Sequence, residues 1–223
     1  MQFTYDVNAK DDILTIDNDN FKYLIKARRH KVGDEIYFRN LEDSFIYLYK
    51  IETISRKSAV LKLLSKEEKV VQNPTNLHIG WCVIDPKLIE KNIASLNELG
   101  VSKITFIYCK YSQTNFKINM EKLKRILHNS SSQCGRSSII QLDTCDSLDR
   151  FIEENNNIYL VDFSKKLISD CKEDIDTILV GCEGGFSTDE REKFQSDNIV
   201  GFKSNLILRS ETAVISAASK ILV

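Results

Sequence analysis

The stretch "DTILVGCEGGFSTDE", residues 176–190, decides the fold of the second half of this chain. Its apolar beginning is typical of a β-strand, and its end, from Ser187 onward, is typical of a helix start. Three of the chain's 8 glycines lie in the turn between the two: Gly181, Gly184 and Gly185. Such a turn lets a ligand approach the backbone closely, which makes it a candidate cradle for a small molecule. The alternative is a tight turn that binds nothing.

Outward from this turn, strand and helix patterns alternate from residue 73 to the C-terminus. "LHIGWCVI" reads as a strand, and "PKLIEKNIASLNELG" reads as a helix with Pro86 in its first turn and Gly100 past its end. The alternation predicts an α/β domain with a parallel sheet over residues 73–223. Before residue 73, period-2 runs with short polar turns predict a small antiparallel β-barrel over residues 1–72.

Composition fits a soluble globular protein: 223 residues, 42% hydrophobic, 28% charged and a formal net charge of −1. Without a global basic field, any nucleic-acid surface must be local. One basic cluster without an acid lies in the first domain: Lys22, Lys26, Arg28, Arg29 and Lys31. A second, over residues 117–136, ends at Arg136. A solvated helix face is the alternative for each cluster.

Cysteine and histidine usage argues against metal chemistry. The six cysteines form no C-x-x-C pair and no zinc spacing, so we expect reduced, buried thiols and no metal. The N-terminus does not resemble a signal peptide, and no apolar run reaches the length of a membrane span. A cytoplasmic protein without a membrane segment is therefore expected.

The C-terminal stretch "SNLILRSETAVISAASKIL", residues 204–222, is the second unusual segment. Its apolar part, Leu206 to Leu208, predicts a short strand, which places Arg209 at a carboxyl strand end, where α/β sheets bind ligands. Ser210 suits an N-cap, and Glu211 suits the positive end of the helix dipole. Those structural roles explain Ser210 and Glu211 without any function.

Together, "VGCEGGFSTDE" and "LILRSETA" resemble the RsmE family of SPOUT-class RNA methyltransferases. "KYLIKARRHKVGDEIYF", "NELGVSKI" and "SQCGRSSI" are similar to further segments of that family. The resemblance implies a PUA-like β-barrel followed by a knotted α/β methyltransferase domain. It also implies a homodimer that methylates N3 of a uridine in 16S ribosomal RNA of the small subunit with S-adenosylmethionine. The chain departs from the usual pattern at Cys182, Ser204, Ser95 and Tyr111.

The resemblance and the residue chemistry together define candidate site residues. We expect two walls of one cofactor cleft from Gly181, Glu183, Gly184, Gly185, Leu206, Ile207 and Leu208. Arg209 is the candidate donor to the uracil oxygens as negative charge develops on them. Glu183 or Glu211 is the candidate acceptor of the N3 proton. For Glu183, a hydrogen bond to cofactor or uracil and a lock on the turn both stay open.

RNA contacts are expected from the basic cluster Lys22, Lys26, Arg28, Arg29 and Lys31, and from Arg136. For Arg136 the alternative is a charge that complements the end of a helix. Two other functions stay open: a SPOUT enzyme acting on another base or on tRNA, and a ribosome-binding module that has lost catalysis. The presence of Glu183, Arg209 and Glu211 favours an active enzyme.

Overall fold

The computed structural model describes residues 2–113 and 115–223, which form two compact units. The first unit comprises the chain up to Gln72 together with His128–Ile139, and the second comprises Asn73–Leu127 and Ile140–Val223. The segment 128–139 thus groups with the N-terminal residues, although it lies within the stretch of the chain that was expected to form the α/β domain.

The first unit is built on a five-stranded sheet with the order β1-β3-β4-β5-β2. Its strands are β1 Thr4–Tyr5, β2 Ile13–Ile16, β3 Glu35–Arg39, β4 Phe45–Ile54 and β5 Ala59–Glu68. The expected antiparallel pairing holds for β2 to β5, whereas β1 runs parallel to β3, so the sheet is mixed. The alternation along β4 is confirmed from Tyr47 through Tyr49 to Ile51, which are buried in the core, whereas Phe45 at the start of the strand is only partly buried.

A helical segment follows β2. It consists of α1, Asn18–Phe21, which continues directly into a π-helix, Lys22–Ala27. Phe21 and Leu24 are buried in the core of this unit, whereas the charged residues of the segment are exposed. The segment is therefore anchored by its apolar residues and presents its cations to solvent.

The second unit is an α/β fold on a six-stranded parallel sheet with the order β11-β9-β10-β6-β7-β8. Its strands are β6 His78–Cys82, β7 Lys103–Ile107, β8 Gln141–Cys145, β9 Ile158–Val161, β10 Thr177–Val180 and β11 Ile199–Val200. Its helices are α2 Pro86–Leu99, α3 Met120–Cys134, α4 Leu148–Glu154, α5 Thr188–Arg191 and α6 Ser210–Leu222, with the last turns of α3 counted in the first unit. The predicted parallel α/β sheet is confirmed.

Local sequence rules explain the limits of α2. The Asp85 side chain accepts a hydrogen bond from the Lys87 N–H at 2.9 Å, and Pro86 occupies the first helical position. Gly100 ends the helix with φ +101°, a left-handed conformation that glycine adopts without strain. Both ends of α2 therefore lie where the sequence predicts them.

The predicted strand over Leu206 to Leu208 is wrong. These residues form a loop in which the side chains of Leu206 and Ile207 are 77% and 81% exposed. The edge strand of the sheet lies earlier, at β11, which pairs with β9. The run Leu206 to Leu208 pairs with no described strand, because the last pairing of the chain at this edge of the sheet is that of Gly201 with Leu167.

The prediction of six reduced thiols is also wrong, because Cys82 and Cys109 form a disulfide with a Cα–Cα distance of 5.9 Å. The two cysteines lie at and just beyond the carboxyl ends of β6 and β7, which are neighbours in the sheet. Cys145, Cys171 and Cys182 are buried free thiols, as expected, whereas Cys134 is exposed.

Within residues 2–113 and 115–223, no helix combines the length and the apolar character that crossing a membrane requires. The knotted chain path that the family resemblance implies stays a prediction.

Candidate active site

A cavity of about 380 Å³ opens at the carboxyl ends of β9 and β10. Three segments form its walls: the glycine turn after β10, the loop before α6 and the loop after β9. All seven residues predicted to hold a cofactor line this one cavity: Gly181, Glu183, Gly184, Gly185, Leu206, Ile207 and Leu208. Residues 25 positions apart in the chain are thus brought to one site.

The glycine turn is held by its own backbone. The Gly185 N–H donates to the Cys182 carbonyl oxygen at 3.0 Å, and Gly185 has φ +67°, which favours glycine there. A Cβ on Gly184 would lie 3.0 Å from the Cβ of Tyr111, so a larger residue here would have to displace Tyr111 by a few tenths of an ångström. The departure from the family pattern at Tyr111 therefore has a structural role behind the turn.

The helix after the turn is fixed by Glu190, a buried carboxylate. One of its oxygens accepts from the Ser187 N–H at 2.9 Å while the Ser187 hydroxyl accepts from the Glu190 N–H at 3.3 Å, which completes a capping box. The other oxygen accepts from the Lys110 N–H at 2.9 Å. Glu190 thus ties the start of α5 to the loop that follows β7.

The loop before α6 contributes an apolar wall. Leu206 and Ile207 are exposed at the cavity, as is Phe163 of the loop after β9, at 69%. The Ser204 hydroxyl accepts from the Leu206 N–H at 3.0 Å and shapes this loop. Ser204, another departure from the family pattern, therefore stabilises the conformation of this loop.

Ser210 joins this wall to the sheet. Its hydroxyl donates to the Gly181 carbonyl oxygen at 2.5 Å and accepts from the Trp81 indole N–H at 3.0 Å. The prediction of Ser210 as an N-cap is wrong: Arg209 is the cap residue, without a side-chain cap, and Ser210 is the first helical residue. Its hydroxyl is bonded to Gly181, which follows β10, and to Trp81 of β6, so it is not free to cap the helix.

The wall formed by the loop after β9 was missed by the sequence-based predictions. Arg191, at the end of α5, pairs with the Asp162 carboxylate and donates to the Phe163 carbonyl oxygen at 2.9 Å. Asp162 also accepts from the Phe163 N–H at 2.7 Å. A cation in the last turn of a helix is only a weak indication of a functional site, because its favourable interaction with the helix dipole already explains why it is there.

The three candidate catalytic residues occupy different positions. Glu183 is exposed on the cavity wall and, among the described residues, has no hydrogen bond to the turn. Arg209 is exposed and Glu211 is half-buried, and neither is among the residues that line the cavity. Arg209 also follows a loop and not a strand, which corrects its expected place. Oε2 of Glu211 is buried and, in the part of the chain that the structure describes, accepts no hydrogen bond.

Cys182, one of the departures from the family pattern, lies in the glycine turn. Burial raises the pKa of its thiol, and hydrogen bonding to Gly184 opposes that shift. The thiol is consequently neutral at neutral pH, and a nucleophilic role for this cysteine is disfavoured.

The five cations of the N-terminal basic cluster are all exposed on the first unit: Lys22, Lys26, Arg28, Arg29 and Lys31. Arg136 differs from them. Its side chain is buried, it donates to the Ser138 hydroxyl at 3.1 Å, and burial lowers the pKa of its guanidinium. It also groups with the first unit, together with the rest of the segment His128–Ile139, and not with the α/β unit where it was expected.

No cluster of three or more His, Cys, Asp or Glu residues able to hold a metal ion occurs within the described ranges 2–113 and 115–223. The cavity is instead lined by glycine backbone, apolar side chains and a few oxygens. Such a surface suits an organic molecule with both polar and apolar parts.

Comparison with known proteins agrees with the fold. The family model of an RNA methyltransferase domain matches residues 71–222, and that of an RNA methyltransferase PUA domain matches residues 16–64. The solved structure of a predicted RNA methyltransferase from Thermotoga maritima is 26% identical, with a TM-score of 0.77, covering 100% of this chain and 97% of that one. The class of protein that this fold and site define is an RNA methyltransferase with an N-terminal PUA domain.

Within that class, the Ribosomal RNA small subunit methyltransferase E of Helicobacter pylori is 34% identical over an alignment of 222 residues, with coverage of 98% of this chain and 98% of that one. The chain therefore belongs to the family of the ribosomal RNA small subunit methyltransferases E. The solved structure of such an enzyme from Neisseria gonorrhoeae, bound to S-adenosyl methionine, has the same fold, with a TM-score of 0.77, 16% identity and coverage of 98% of this chain and 95% of that one.

Proposed function

We propose that this RNA methyltransferase transfers the methyl group of S-adenosylmethionine to N3 of a uridine in 16S ribosomal RNA of the small subunit. The observation that carries the proposal is the cavity at the carboxyl ends of β9 and β10, lined by all seven predicted cofactor residues. The names of the Helicobacter and Neisseria relatives, and the ligand of the latter, support the substrate and the donor.

The cofactor would be held largely by backbone. The exposed part of the turn after β10, at Glu183 and Gly184, would meet the polar parts of the molecule with its backbone, whereas Leu206, Ile207 and Phe163 offer apolar contact. When bound, S-adenosylmethionine supplies an electrophilic methyl group. What the protein adds is the position of that group relative to the uracil ring and the exclusion of water from the cavity.

Arg209 would stabilise the uracil. Removal of the N3 proton leaves negative charge on the uracil oxygens, and a fixed guanidinium beside them lowers the energy of that state. Arg209 is exposed and directly follows Leu208 of the cavity wall in the chain, which favours a contact between its side chain and an RNA base at the cavity mouth. We propose Arg209 as that donor.

A carboxylate would accept the N3 proton. Glu183 stands on the cavity wall without a hydrogen bond to the turn among the described residues, which favours a role toward a ligand over a lock on the turn. Glu211 is the second candidate, since its buried Oε2 accepts no hydrogen bond within the described chain. The pH dependence of single-turnover rates of Glu183→Gln and Glu211→Gln distinguishes the two.

The PUA domain would bind RNA, and the methyltransferase domain would catalyse methyl transfer. We propose residues 1–72 as the RNA-binding part, with phosphate contacts from Lys22, Lys26, Arg28, Arg29 and Lys31, and residues 73–223 as the catalytic part. For Arg136, a contact with RNA requires that its buried side chain be uncovered. We further propose, in keeping with the family resemblance, that the protein is a cytoplasmic homodimer. Analytical ultracentrifugation measures its molecular mass in solution.

Mass mapping of methylated RNA tests the proposal. Purified protein and S-adenosylmethionine are incubated separately with small subunits, with free 16S RNA and with tRNA, and the product is digested and sequenced by mass spectrometry. One N3-methyluridine at a single position is the expected result. Methylation of another base or of tRNA would replace the proposed substrate, and cofactor binding without any transfer would favour a binding module.

A further inference from the structure

The π-helix Lys22–Ala27 produces an unusual arrangement of aromatic rings and cations. In an α-helix, side chains three or four residues apart are neighbours. A π-helical turn bonds residue i to residue i+5, and here the Arg28 N–H donates to the Tyr23 carbonyl oxygen at 2.9 Å. Residues five apart therefore become neighbours, and two cations are each brought to an aromatic ring.

The two resulting pairs differ in exposure. The Lys26 Nζ lies 5.4 Å from the centroid of the Phe21 ring, and Phe21 is only 4% exposed. The Arg28 guanidinium carbon lies 5.3 Å from the centroid of the Tyr23 ring, and Tyr23 is 48% exposed. Phe21 thus anchors the segment in the core, while the ring of Tyr23 is presented to solvent.

Arg28 also holds the exposed ring in place. Its Nε and Nη2 donate to the Tyr23 hydroxyl at 3.2 Å and 3.0 Å. A guanidinium has five N–H donors, so others remain to bind an anion. The ring orientation is fixed before any partner arrives, which lowers the entropy that binding would cost.

Several of the residues that follow Tyr23 in the sequence are cationic, and the backbone is strained at one of them; Lys22, which precedes Tyr23, forms an exposed ion pair with Asp19. Lys22, Lys26, Arg29 and Lys31 are exposed around it in the sequence. Arg29 has φ +61°, a conformation that costs a non-glycine residue energy and that is concentrated at functional sites. A π-helix is also rare and occurs frequently at functional sites.

We propose that Tyr23 is a stacking platform for an unpaired RNA base, and that Arg28 binds the adjoining phosphate. Proteins that bind single-stranded RNA combine a basic surface with exposed aromatic rings on which bases stack. An acidic protein partner would use the cations but has no need of a fixed, exposed ring. This inference rests on the proposed function, because it assumes that RNA is the partner of the first unit.

Fluorescence anisotropy with labelled RNA tests the platform. The full-length protein is titrated with a single-stranded RNA oligonucleotide and with the same sequence as a duplex, at several salt concentrations. Tyr23→Leu should weaken single-strand binding about tenfold, as for the loss of one stacked base. Because stacking releases no counterions, the dependence of affinity on salt should equal that of the wild type. Duplex binding should not change.

Three further variants make the test specific. Tyr23→Phe keeps the ring and should retain most of the single-strand affinity. Leu64→Ala, at a 46% exposed apolar residue of β5, is the matched control and should bind as the wild type does. Arg28→Gln should instead reduce the salt dependence, since it removes a phosphate contact.

Two results would overturn the platform. Wild-type affinity of Tyr23→Leu, in a variant with a native circular dichroism spectrum, would show that no base stacks there. An equal loss for single strand and duplex would assign Tyr23 to the general basic surface. Failure of the wild type to bind any RNA would overturn both this inference and the RNA-binding part of the proposed function. The two results above concern only the variant and leave RNA binding by the wild type intact, so the two kinds of failure can be told apart.

Discussion

The hydroxyl of Ser210 donates a hydrogen bond to the carbonyl oxygen of Gly181, which joins the first residue of α6 to the residue after β10. Both residues line the cavity, and both are buried. The Trp81 indole N–H donates to the same hydroxyl from β6. One side chain therefore holds the glycine turn and the C-terminal helix in their relative positions.

We expect Ser210→Ala to lower the free energy of unfolding by about 1–3 kcal/mol, because it leaves the buried Gly181 carbonyl and the Trp81 N–H without this partner. Urea denaturation followed by the fluorescence of Trp81, the only tryptophan, measures the change. Ser216→Ala, on the same helix, is the control. An equal effect of the two substitutions would contradict the structural role of the Ser210 hydroxyl.

Arg191 is expected to act as a positioning residue for the cofactor. Arg191→Ala removes both the ion pair with Asp162 and the hydrogen bond to the Phe163 carbonyl, so the loop after β9 loses its tie to α5. We expect the KM for S-adenosylmethionine to rise by roughly tenfold, about 1.4 kcal/mol, while kcat changes little. Arg191→Lys keeps a charge opposite Asp162 and should recover part of the affinity.

The control for Arg191 is Lys193→Ala, which removes an ion pair with Asp149 from the same part of the chain without touching the cavity wall. Steady-state kinetics with the donor varied gives both constants. A fall in kcat with an unchanged KM would assign Arg191 to the chemical step and would refute the positioning role.

His78 should make the fold sensitive to acid. Burial, helped by the charge of Lys103, lowers its pKa from 6.5 to about 4 in the folded protein. Between these values the unfolded chain binds a proton that the folded chain does not, so stability falls as the pH decreases from 6.5 to 4. Below that range both states are protonated, and this contribution to the slope ends.

The measurement for His78 is the urea midpoint at pH 7 and pH 4.5. We expect the midpoint of the wild type to fall more than that of His78→Gln, in which the carboxylates are unchanged and the titrating ring is absent. Equal decreases in the two proteins would show that His78 does not contribute to the acid sensitivity.

Arg209→Lys should separate catalysis from binding. Lysine keeps the charge but lacks the planar fork of donors, so the uracil oxygen, O2 or O4, that carries the developing charge loses a fixed, well-oriented donor. We expect single-turnover methyl transfer to slow by about 10²-fold, with the affinities for RNA and S-adenosylhomocysteine near those of the wild type. A wild-type rate would exclude Arg209 as the donor to the uracil oxygens.

Much of this architecture could be predicted from the sequence because it depends on local rules. Pro86 and Gly100 mark the two ends of α2, and the glycine turn after residues 177–180 lies where a parallel sheet binds ligands. The apolar run Leu206 to Leu208 misled the prediction, since three apolar residues indicate a strand but here line a cavity.

The specific bonds between side chains distant in the chain could not be predicted, although two distant walls of the cavity were. Cys82 and Cys109 are 27 residues apart, and only the order of the strands brings them together. The same holds for Arg191 and Asp162, which are 29 residues apart and meet because α5 and β9 belong to neighbouring strand–helix units. Local patterns carry no information about such pairs.

The central claim is that the cavity at the carboxyl ends of β9 and β10 binds the methyl donor, and calorimetry with S-adenosylhomocysteine tests it most directly. Ala213 lines the cavity from the first turns of α6, whereas its neighbour Thr212 is exposed and does not line it. Ala213→Leu should fill part of the cavity and weaken binding by about tenfold or more, the equivalent of 1.4 kcal/mol, while Thr212→Leu should bind as the wild type does. Wild-type affinity in a folded Ala213→Leu protein would contradict the account, because the ligand would then have to bind elsewhere.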